Sequence, residues 1–554
     1  MKKFSIMLGI ILVTLLIISC GGPSGTPTPT ATTAVPKTTA PAATTPAATT
    51  PKPAPTTTTA PPATTAAPSN IKKGGILRVI TTAPSNIGGC PWEGNTPPDL
   101  WYANPVVETL LITDGKGDLA PRLATAWKVA PDYKSITFTL RQGVKFHDGT
   151  DFDAEALKYL FETNAKSAFP ELKSIQSVDV LDKYTARVNV TKYSPAMMSL
   201  LAVGRPGWIV SPTALKTMKP EDLAVHPVGT GPFKFQDFKR DVYVKFIRNE
   251  NYWQPGKPYL DGIEYQIIND SVTSLLTFKK GDSDVHYNVV QKDAYELKQA
   301  GYNVTSAQAS IYQWVGDSNN PNSPWSNIDV RRAAQHAIDT QAMAKAQGYG
   351  WADGYWNQVF PKGNPAYEPS IVGYPFDQAK AKALLAKAGY PNGFKTSLYC
   401  TSPPLGEFEQ ATQNYLGQVG INAEIKPLVG PSYAMANNQG WANGMFRTQS
   451  TASLGADPGY QMSIYLSTPA TSWVSVARPQ DMTDLLNAAN AELDLTKRYE
   501  IYKALSKNII DTNALVTSVW GGYLLAAKQK YVMDDNIRTL WTMTWTPENA
   551  WLNK

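Results

Sequence analysis

The sequence predicts an α/β fold, because strand-like and helix-like segments alternate along the chain. Residues 136–140 and 186–190 alternate apolar and polar side chains with the period of two expected for half-buried strands. Asp153 and Asp377 each precede a run with apolar residues at helical spacing, and both are candidate N-caps. Gly389 follows the second run at the position of a left-handed C-cap. Such alternation is typical of α/β chains.

The first 19 residues have the pattern of a signal peptide. Lys2 and Lys3 precede an apolar run at residues 4–18, which is shorter than the ~20 residues that a membrane-spanning helix needs. Residues 17–20 resemble a bacterial lipobox, and we therefore expect Cys20 to become a lipidated N-terminus. An uncleaved anchor with a chance cysteine at its end is the alternative. In both cases we expect the rest of the chain at the outer face of the cytoplasmic membrane, in the cell envelope.

Residues 20–70 are predicted to be a tether. Between residues 26 and 68 the chain consists of Thr, Pro and Ala, interrupted only by Val35, Lys37 and Lys52. Such a segment cannot bury enough apolar surface to fold. Proline-rich chain extends by about 3.1 Å per residue, so the tether can span on the order of 100 Å.

Residues 71–554 are predicted to fold into about three domains, at ~150 residues per domain. The chain is 43% hydrophobic and 17% charged, which is ordinary for a globular protein. Its net charge of +6 includes Lys2 and Lys3, so the mature chain carries about +4 (6 minus 2). No basic stripe of the kind that binds nucleic acid is present. Besides Cys20 there are only Cys90 and Cys400, and we expect both to be unpaired, although export permits a disulfide.

Motifs for catalysis and metal binding are missing from the sequence. The chain has four histidines, and no two are spaced as a metal pair on one helix face. Neither a nucleophile elbow nor a phosphate-binding glycine loop occurs. Residues 147–155 contain His147 and several carboxylates, but a turn followed by a capped helix explains them better than a calcium loop. We therefore expect a binding protein without cofactor or metal, and a secreted hydrolase is the alternative.

Several segments resemble one protein family. Residues 140–149, Leu-Arg-Gln-Gly-Val-Lys-Phe-His-Asp-Gly, are similar to the signature of the family 5 extracellular solute-binding proteins of bacterial ABC importers. Further similar segments occur in the family's order, at residues 74–79, 119–127, 227–235, 248–253, 257–263, 330–339, 388–391 and 419–421. Each segment alone is a weak signal, whereas the ordered series is specific.

The resemblance implies a two-lobed periplasmic-binding-protein-like fold of type II, with an extra domain inserted in the first lobe. Lobe I would comprise residues 71–112, 227–306 and 512–554, domain II residues 113–226, and lobe III residues 307–511. Two chain crossings between the lobes would form a hinge that closes on a ligand.

The resemblance also implies that the protein captures a small solute, most often a peptide, and delivers it to a membrane permease. Together with the lipobox, we expect a lipid-anchored monomer. An oligosaccharide or a metal chelate is an alternative ligand, and a lipoprotein that binds a partner protein is an alternative function. Aromatic side chains are the expected walls of the interlobe cleft. The candidates are Trp92, Trp351, Trp356, Trp441 and Tyr460. Arg447 is the candidate for a ligand carboxylate, with a structural ion pair as its alternative role.

One difference from the family concerns the ligand's amino group. Peptide-binding relatives typically carry an Asp three residues before the segment that resembles residues 457–460, and this chain has Leu454 there. A buried ammonium group without a partner is costly. Asp457 is the carboxylate that could replace the missing one.

The lipidation hypothesis predicts how the chain distributes between membrane and medium. Cys20→Ala should move the protein out of the detergent phase, because the acylated residue is lost. Detergent partitioning of cell fractions measures this, with Cys90→Ala as the control that leaves the partitioning unchanged. A processed Cys20→Ala chain that still partitions like the wild type would contradict the assignment.

Overall fold

The computed structural model describes most of the chain beyond the predicted tether. The described residues are 70–82, 89, 99–114, 118–164, 172–203, 205–354, 359–360, 364–401, 407–450, 457–533, 536–537 and 545–554. They all belong to one compact unit. The predicted signal peptide, Cys20 and nearly all of the tether lie outside these residues.

Strands and helices alternate from one end of the described chain to the other. The part up to residue 226 contains β1 (Ile76–Thr81), α1 (Asp99–Ala103), β2 (Glu108–Thr109), β3 (Leu111–Thr113), β4 (Leu119–Pro121), β5 (Ala124–Val129), β6 (Ser135–Leu140), α2 (Ala154–Asn164), β7 (Ile175–Asp182), β8 (Thr185–Val190), α3 (Pro195–Val203), β9 (Trp208–Ile209), α4 (Pro212–Thr217) and α5 (Pro220–Val225). The next part contains β10 (Phe233–Lys239), β11 (Tyr243–Arg248), β12 (Gly262–Ile267), α6 (Ser271–Lys280), β13 (Val285–Tyr287), α7 (Gln291–Gln299) and β14 (Asn303–Gly316).

The remaining part follows the same alternation. It contains α8 (Ile328–Ala337), α9 (Thr340–Gln347), β15 (Ala352–Asp353), α10 (Gln378–Lys387), β16 (Phe394–Thr401), α11 (Glu407–Gln418), β17 (Ile421–Leu428), α12 (Gly430–Gln439), β18 (Gly444–Ser450), α13 (Gly459–Leu466), α14 (Gln480–Ala491), α15 (Leu495–Lys507), β19 (Val516–Lys528), β20 (Val532–Met533) and β21 (Trp551–Leu552). Short 3-10 turns lie at Leu172–Ser174, Arg205–Gly207, Pro324–Ser326 and Pro547–Asn549, and a π-helical turn at Asn508–Thr512.

The local predictions from sequence are confirmed. The two strands predicted at residues 136–140 and 186–190 are β6 and β8. Asp153 and Asp377 cap α2 and α10, because their carboxylates accept hydrogen bonds from the backbone N–H groups of the first helical turn. Gly389 adopts a φ of 91°, which lets the chain leave α10 in the left-handed conformation.

The largest sheet has eleven strands and runs through both lobes. Its order is β10-β11-β12-β1-β13-β19-β14-β18-β16-β17, and β15 pairs with β19 beside this path. In the lobe I half, β12, β1 and β13 are parallel. In the lobe III half, β17, β16 and β18 are parallel. The long antiparallel strands β14 and β19 join the two halves.

The hinge lies in the middle of β14 and β19. Their pairing is irregular between Gln308 and Ser310, where one extra residue of β14 is accommodated as a bulge. Opposite this bulge, β19 carries Tyr523 and Gly522, and the adjacent Gly521 faces Ile311; both glycines also pair with β15. A bulge next to two residues without side chains bends more readily than a regular ladder, so this is where we place the hinge.

Domain II forms a separate antiparallel sheet in the order β5-β6-β8-β7, with α2 packed against it. The signature residues 140–149 form the turn after β6, where the Gly149 N–H donates to the Phe146 carbonyl. His147 approaches the Gly231 carbonyl of lobe I through Nε2 at 2.9 Å. The hydrophobic core under this sheet is continuous with that of lobe I. The signature thus attaches domain II to lobe I.

A buried ion cluster joins three segments of the chain beside that core. Arg122 of domain II binds Glu108 at 2.8 Å and Glu548 near the C-terminus at 2.7 Å. Tyr252 and Trp253 also donate hydrogen bonds to Glu108. Burial alone would lower the pKa of Arg122, but the surrounding Glu548, Tyr252 and Glu108 raise it well above its ordinary value. The guanidinium therefore stays charged and compensates both carboxylates.

Removal of the Arg122 charge should destabilise the fold strongly. Arg122→Met leaves two carboxylates buried without their cation, and breaking a buried ion pair from one side costs about 3–5 kcal/mol. Urea unfolding of residues 70–554 measures the free energy of unfolding. Lys280→Ala removes the exposed Lys280–Asp282 pair and is the control with little expected effect. Equal stability of Arg122→Met and the wild type would contradict this role.

Candidate ligand-binding site

The carboxyl ends of the parallel strands in both lobes point toward the hinge. In lobe I, Val285 of β13 pairs with Lys528 and Tyr287 with Ala526, so β13 runs toward the middle of β19. In lobe III, the last residue of β18, Ser450, pairs with Ile311 beside the hinge. Open α/β sheets bind ligands at the carboxyl ends of their strands. The space between these two sets of strand ends is therefore the candidate site, which we call the interlobe cleft.

Buried aromatic side chains lie at the carboxyl ends of the lobe I strands. Tyr287, at the end of β13, contacts Trp101 of α1 edge to face, with ring centroids 4.5 Å apart. The neighbouring Tyr102 donates its hydroxyl hydrogen to the Thr82 carbonyl just after β1, at 2.5 Å. Asn288 follows β13 with a φ of 61°, in the left-handed region. This turn fixes the strand end, because few side chains tolerate that conformation.

A buried ion pair lies at the strand ends of lobe III. Arg447 of β18 contacts Glu409 of α11 at 3.0 Å, and the two side chains are 6% and 1% exposed. Arg447 also donates to the Thr401 hydroxyl at the end of β16, and its guanidinium lies 5.9 Å from the centre of the Tyr312 ring. Cys400 is buried beside them as a free thiol, and burial raises its pKa to about 11. The cation is thus held by one carboxylate and one hydroxyl.

A second buried ion pair involves Asp457. Its Oδ2 lies 3.0 Å from Arg498 Nε, and its Oδ1 accepts the Gly459 N–H at 2.8 Å. The Arg498 side chain is fully buried and that of Asp457 is 3% exposed. Burial raises the pKa of Asp457, and the charge of Arg498 opposes this shift. Both carboxylate oxygens therefore have partners within lobe III.

Domain II reaches lobe III next to this pair. Its helix α3 packs against α13, the helix that follows Asp457. Burial raises the pKa of Tyr193, just before α3, to about 12, and the neighbouring charges of Arg498 and Asp457 contribute smaller effects. Domain II thus contacts lobe III as well as lobe I.

The sequence profile described as bacterial extracellular solute-binding proteins, family 5 (middle) matches residues 118–472. The chain belongs to this family. Among curated proteins, the glutathione-binding protein GsiB of Salmonella paratyphi A is 33% identical over 310 residues, which is 55% of this chain and 60% of that protein. GsiB of Shigella flexneri is 31% identical over 342 residues, or 60% of this chain and 66% of that protein. The chain thus matches about two thirds or less of the length of these relatives.

Solved structures confirm the two-lobed type II fold of this family 5 protein. The periplasmic binding protein DppA of Helicobacter pylori, in complex with the peptide STSA, superimposes with a TM-score of 0.76 at 24% identity. The binding protein AgaA of A. tumefaciens R10, in complex with agropinic acid, gives a TM-score of 0.73 at 25% identity. Each alignment covers 87% of this chain and 99% of the other. The domain boundaries drawn from sequence stay predictions.

Two of the predicted cleft aromatics are described with their side chains. Trp441 is buried in the lobe III core, where its ring stacks on Phe446 at 4.8 Å and its Nε1 donates to the Gly444 carbonyl. Trp351 lies just before β15, partly buried against the core of lobe I, with Lys298 Nζ 4.7 Å from its ring centre. Trp351 is thus at the hinge, whereas Trp441 packs inside lobe III. A ligand contact of either side chain stays a prediction.

The other predicted residues are placed only in part. Tyr460 is the second residue of α13, directly after the Asp457 segment. Trp92, Trp356 and Leu454 lie outside the described residues, as does Cys90. Within the described ranges, no group of three His, Cys, Asp or Glu side chains is arranged to hold a metal ion. None of the helices in those ranges is long and apolar enough to cross a bilayer.

Sequence reasoning missed the partners of both predicted charged residues. For Arg447 the sequence offers a ligand carboxylate or an ion pair within the protein, but it does not identify Glu409 of α11 as the partner, because no motif or helical spacing connects the two positions. The same holds for Asp457 and Arg498 of α15. The only general guide is that charged side chains are seldom buried and that a buried one requires a partner. This guide does not identify the partner.

The Asp457–Arg498 pair predicts coupled stability effects. Asp457→Asn should cost about 3–5 kcal/mol, because it leaves Arg498 buried and charged. The double variant Asp457→Asn/Arg498→Met removes both charges and should recover part of this loss. Urea unfolding of the single and double variants gives the coupling energy. A double variant whose loss equals the sum of the single losses would contradict the pairing.

Proposed function

We propose that this family 5 protein is the extracytoplasmic binding protein of an ABC importer. It captures a small solute, in particular a peptide such as glutathione, in the interlobe cleft and delivers it to a membrane permease. The observation that carries the proposal is the convergence of strand ends from both lobes on a hinge of two strands. A ligand that contacts both sets of strand ends favours the closed state over the open state.

The names of the relatives support the ligand class. GsiB is a glutathione-binding protein, and the DppA structure contains a peptide. These ligands carry carboxylates, for which a guanidinium is a suitable partner. Arg447 is our candidate for this contact, because it lies near the carboxyl end of β18. Glu409 and the Thr401 hydroxyl hold its guanidinium in place, and a ligand carboxylate would be a further partner. Tyr287 and Trp101 supply an apolar wall on the opposite lobe.

The remaining parts of the proposal concern the attachment of the chain. Cys20 carries lipid, residues 20–70 form the tether, and the folded part works as a monomer on the outer face of the cytoplasmic membrane. The apolar run before Cys20 and the Thr, Pro and Ala composition after it support this arrangement. The proposed ligand-binding set also includes Trp92, Trp351, Trp356, Trp441, Asp457 and Tyr460.

Glutathione should bind residues 70–554 and close the hinge. Calorimetry should give micromolar or tighter affinity, about 8 kcal/mol or more. Small-angle scattering should show a smaller radius of gyration with ligand, because the lobes approach each other. A double variant, Glu409→Gln/Arg447→Met, removes both buried charges and should stay folded but bind more weakly.

The same samples separate the alternatives. Recovery of intact glutathione after incubation is expected for a binding protein, whereas its consumption would indicate a hydrolase. Failure of glutathione and of dipeptides to bind, with binding of an oligosaccharide or a metal chelate, would replace the ligand class. Tight binding without compaction would contradict the hinge mechanism.

A further inference from the structure

The turn between α9 and β15 crosses from lobe III to lobe I. Helix α9 packs in lobe III, because its Ala344 lies in the hydrophobic core that also contains Leu398 of β16. Ala352 packs against the same core, whereas the preceding Trp351 packs against a core of lobe I. Two neighbouring residues thus belong to the cores of different lobes. We call residues 348–353 the hinge strap.

The hinge strap is also paired with a hinge strand. Ala352 and Asp353 form β15, and they pair with Gly522 and Gly521 of β19. These glycines lie beside the bulge at which we place the hinge. Rotation of the lobes at this point therefore changes the position of the strap relative to at least one lobe.

Two side chains of the hinge strap contact helix α7 of lobe I. The ring centre of Tyr349 lies 6.0 Å from that of Tyr295. Lys298 Nζ lies 4.7 Å from the centre of the Trp351 ring. Aromatic pairs and cation–π contacts at such distances are attractive. These two contacts connect the lobes in addition to the strands β14 and β19.

The docked strap also has two unfavourable features. Tyr349 has a φ of 47°, in the left-handed region that a bulky side chain rarely adopts. Trp351 Nε1 is buried and has no hydrogen-bond partner among the described residues, and a buried donor without an acceptor is unfavourable. Strained backbone persists only where surrounding contacts hold it. The contacts with Tyr295 and Lys298 therefore work against these costs, and the loss of one contact should release the strap.

The lobes touch at a second place while the strap is docked. Domain II shares its hydrophobic core with lobe I, and its helix α3 packs against α13 of lobe III. This contact and the docked strap are present in the same arrangement of the lobes. Docking of the strap thus accompanies the approach of lobe III to lobe I.

We infer that the hinge strap is a latch for the closed arrangement of the lobes. Tyr349 and Trp351 dock on α7 when the lobes approach, and they leave it when the lobes separate. This inference rests on the proposed function and assigns the control of its hinge to particular residues. The apparent affinity for a ligand that requires closure depends on the population of the closed state, so the strap also tunes ligand affinity.

The test measures the distance between the lobes in the full-length lipidated chain without ligand. Spin labels are attached at Val242→Cys and Met435→Cys in a Cys90→Ser background, and the buried Cys400 is not labelled. Val242 is 45% exposed beside the carboxyl end of β12, and Met435 is 56% exposed on α12, after the carboxyl end of β17. Closure should bring these positions together, and pulsed electron paramagnetic resonance gives the populations at short and long distance.

Truncation of the lobe I side of the latch should open the lobes. Tyr295→Ala and Lys298→Ala should each lower the ratio of short to long distances about two- to tenfold, because each removes one contact of the strap. Both residues are exposed, so thermal unfolding should stay as in the wild type. Leu276→Ala on α6 and Lys292→Ala on α7 truncate an exposed apolar and an exposed basic residue of the same lobe, and these controls should keep the wild-type distances.

A double variant tests whether the two rings act through each other. Tyr349→Ala should give the same shift as Tyr295→Ala, and the double variant should give no further shift, because either single variant already removes the ring contact. Shifts that add in the double variant overturn the latch. Wild-type distances in both Tyr295→Ala and Lys298→Ala also overturn it.

Glutathione calorimetry on the same variants separates the latch from a direct ligand contact. The affinity should fall by no more than the closed population falls. Weaker binding by Tyr295→Ala or Lys298→Ala with wild-type distances would assign these side chains to the ligand and overturn the latch. A wild-type chain that does not bind glutathione contradicts the proposed ligand, and the ligand-free distances then still decide on the latch.

Discussion

The bridge from Arg122 to Glu108 and Glu548 is the contact on which the rest of the architecture depends. Lobe I is assembled from chain segments that are far apart in sequence; Glu108 and Glu548 come from two of them, and Arg122 comes from domain II. Because each charge is buried, the cluster is stable only when all three segments are in place. The cluster can therefore form only in the assembled fold. It fixes domain II and the C-terminal segment to the same part of lobe I.

With lobe I fixed in this way, the connection to lobe III is concentrated in the two strands that leave it. β14 and β19 carry both the covalent connection and the sheet pairing between the lobes. The bulge of β14 and the two consecutive glycines of β19 lie between two well-packed halves of the sheet, each with its own hydrophobic core. The short strand β15 adds a third element at this point, and Trp351 before it packs on lobe I. Part of the chain that the sequence assigns to lobe III thus packs on lobe I.

Local structure could be predicted from sequence where it depends on contacts between residues that are close in sequence. Asp153 and Asp377 cap helices because their carboxylates satisfy N–H groups only two or three residues away. The two-lobed fold came from the ordered family segments and not from periodicity. The pairs Glu409–Arg447 and Asp457–Arg498 could not be predicted, since they join distant elements and depend on the tertiary packing. The burial of Trp441 in the lobe III core could not be predicted either, because a tryptophan side chain suits a hydrophobic core and a ligand cleft equally well.

The position of β19 also has a consequence for biosynthesis. This strand lies between β13 and β14 in the central sheet, yet it comes from residues 516–528, close to the end of the chain. Synthesis proceeds from the amino terminus, so neither half of the sheet can be completed until nearly the whole chain has left the ribosome. Contacts between residues so distant in sequence also form slowly. Until residue 528 has been added, the central sheet therefore stays incomplete and the edges of β13 and β14 that β19 will cover stay unpaired.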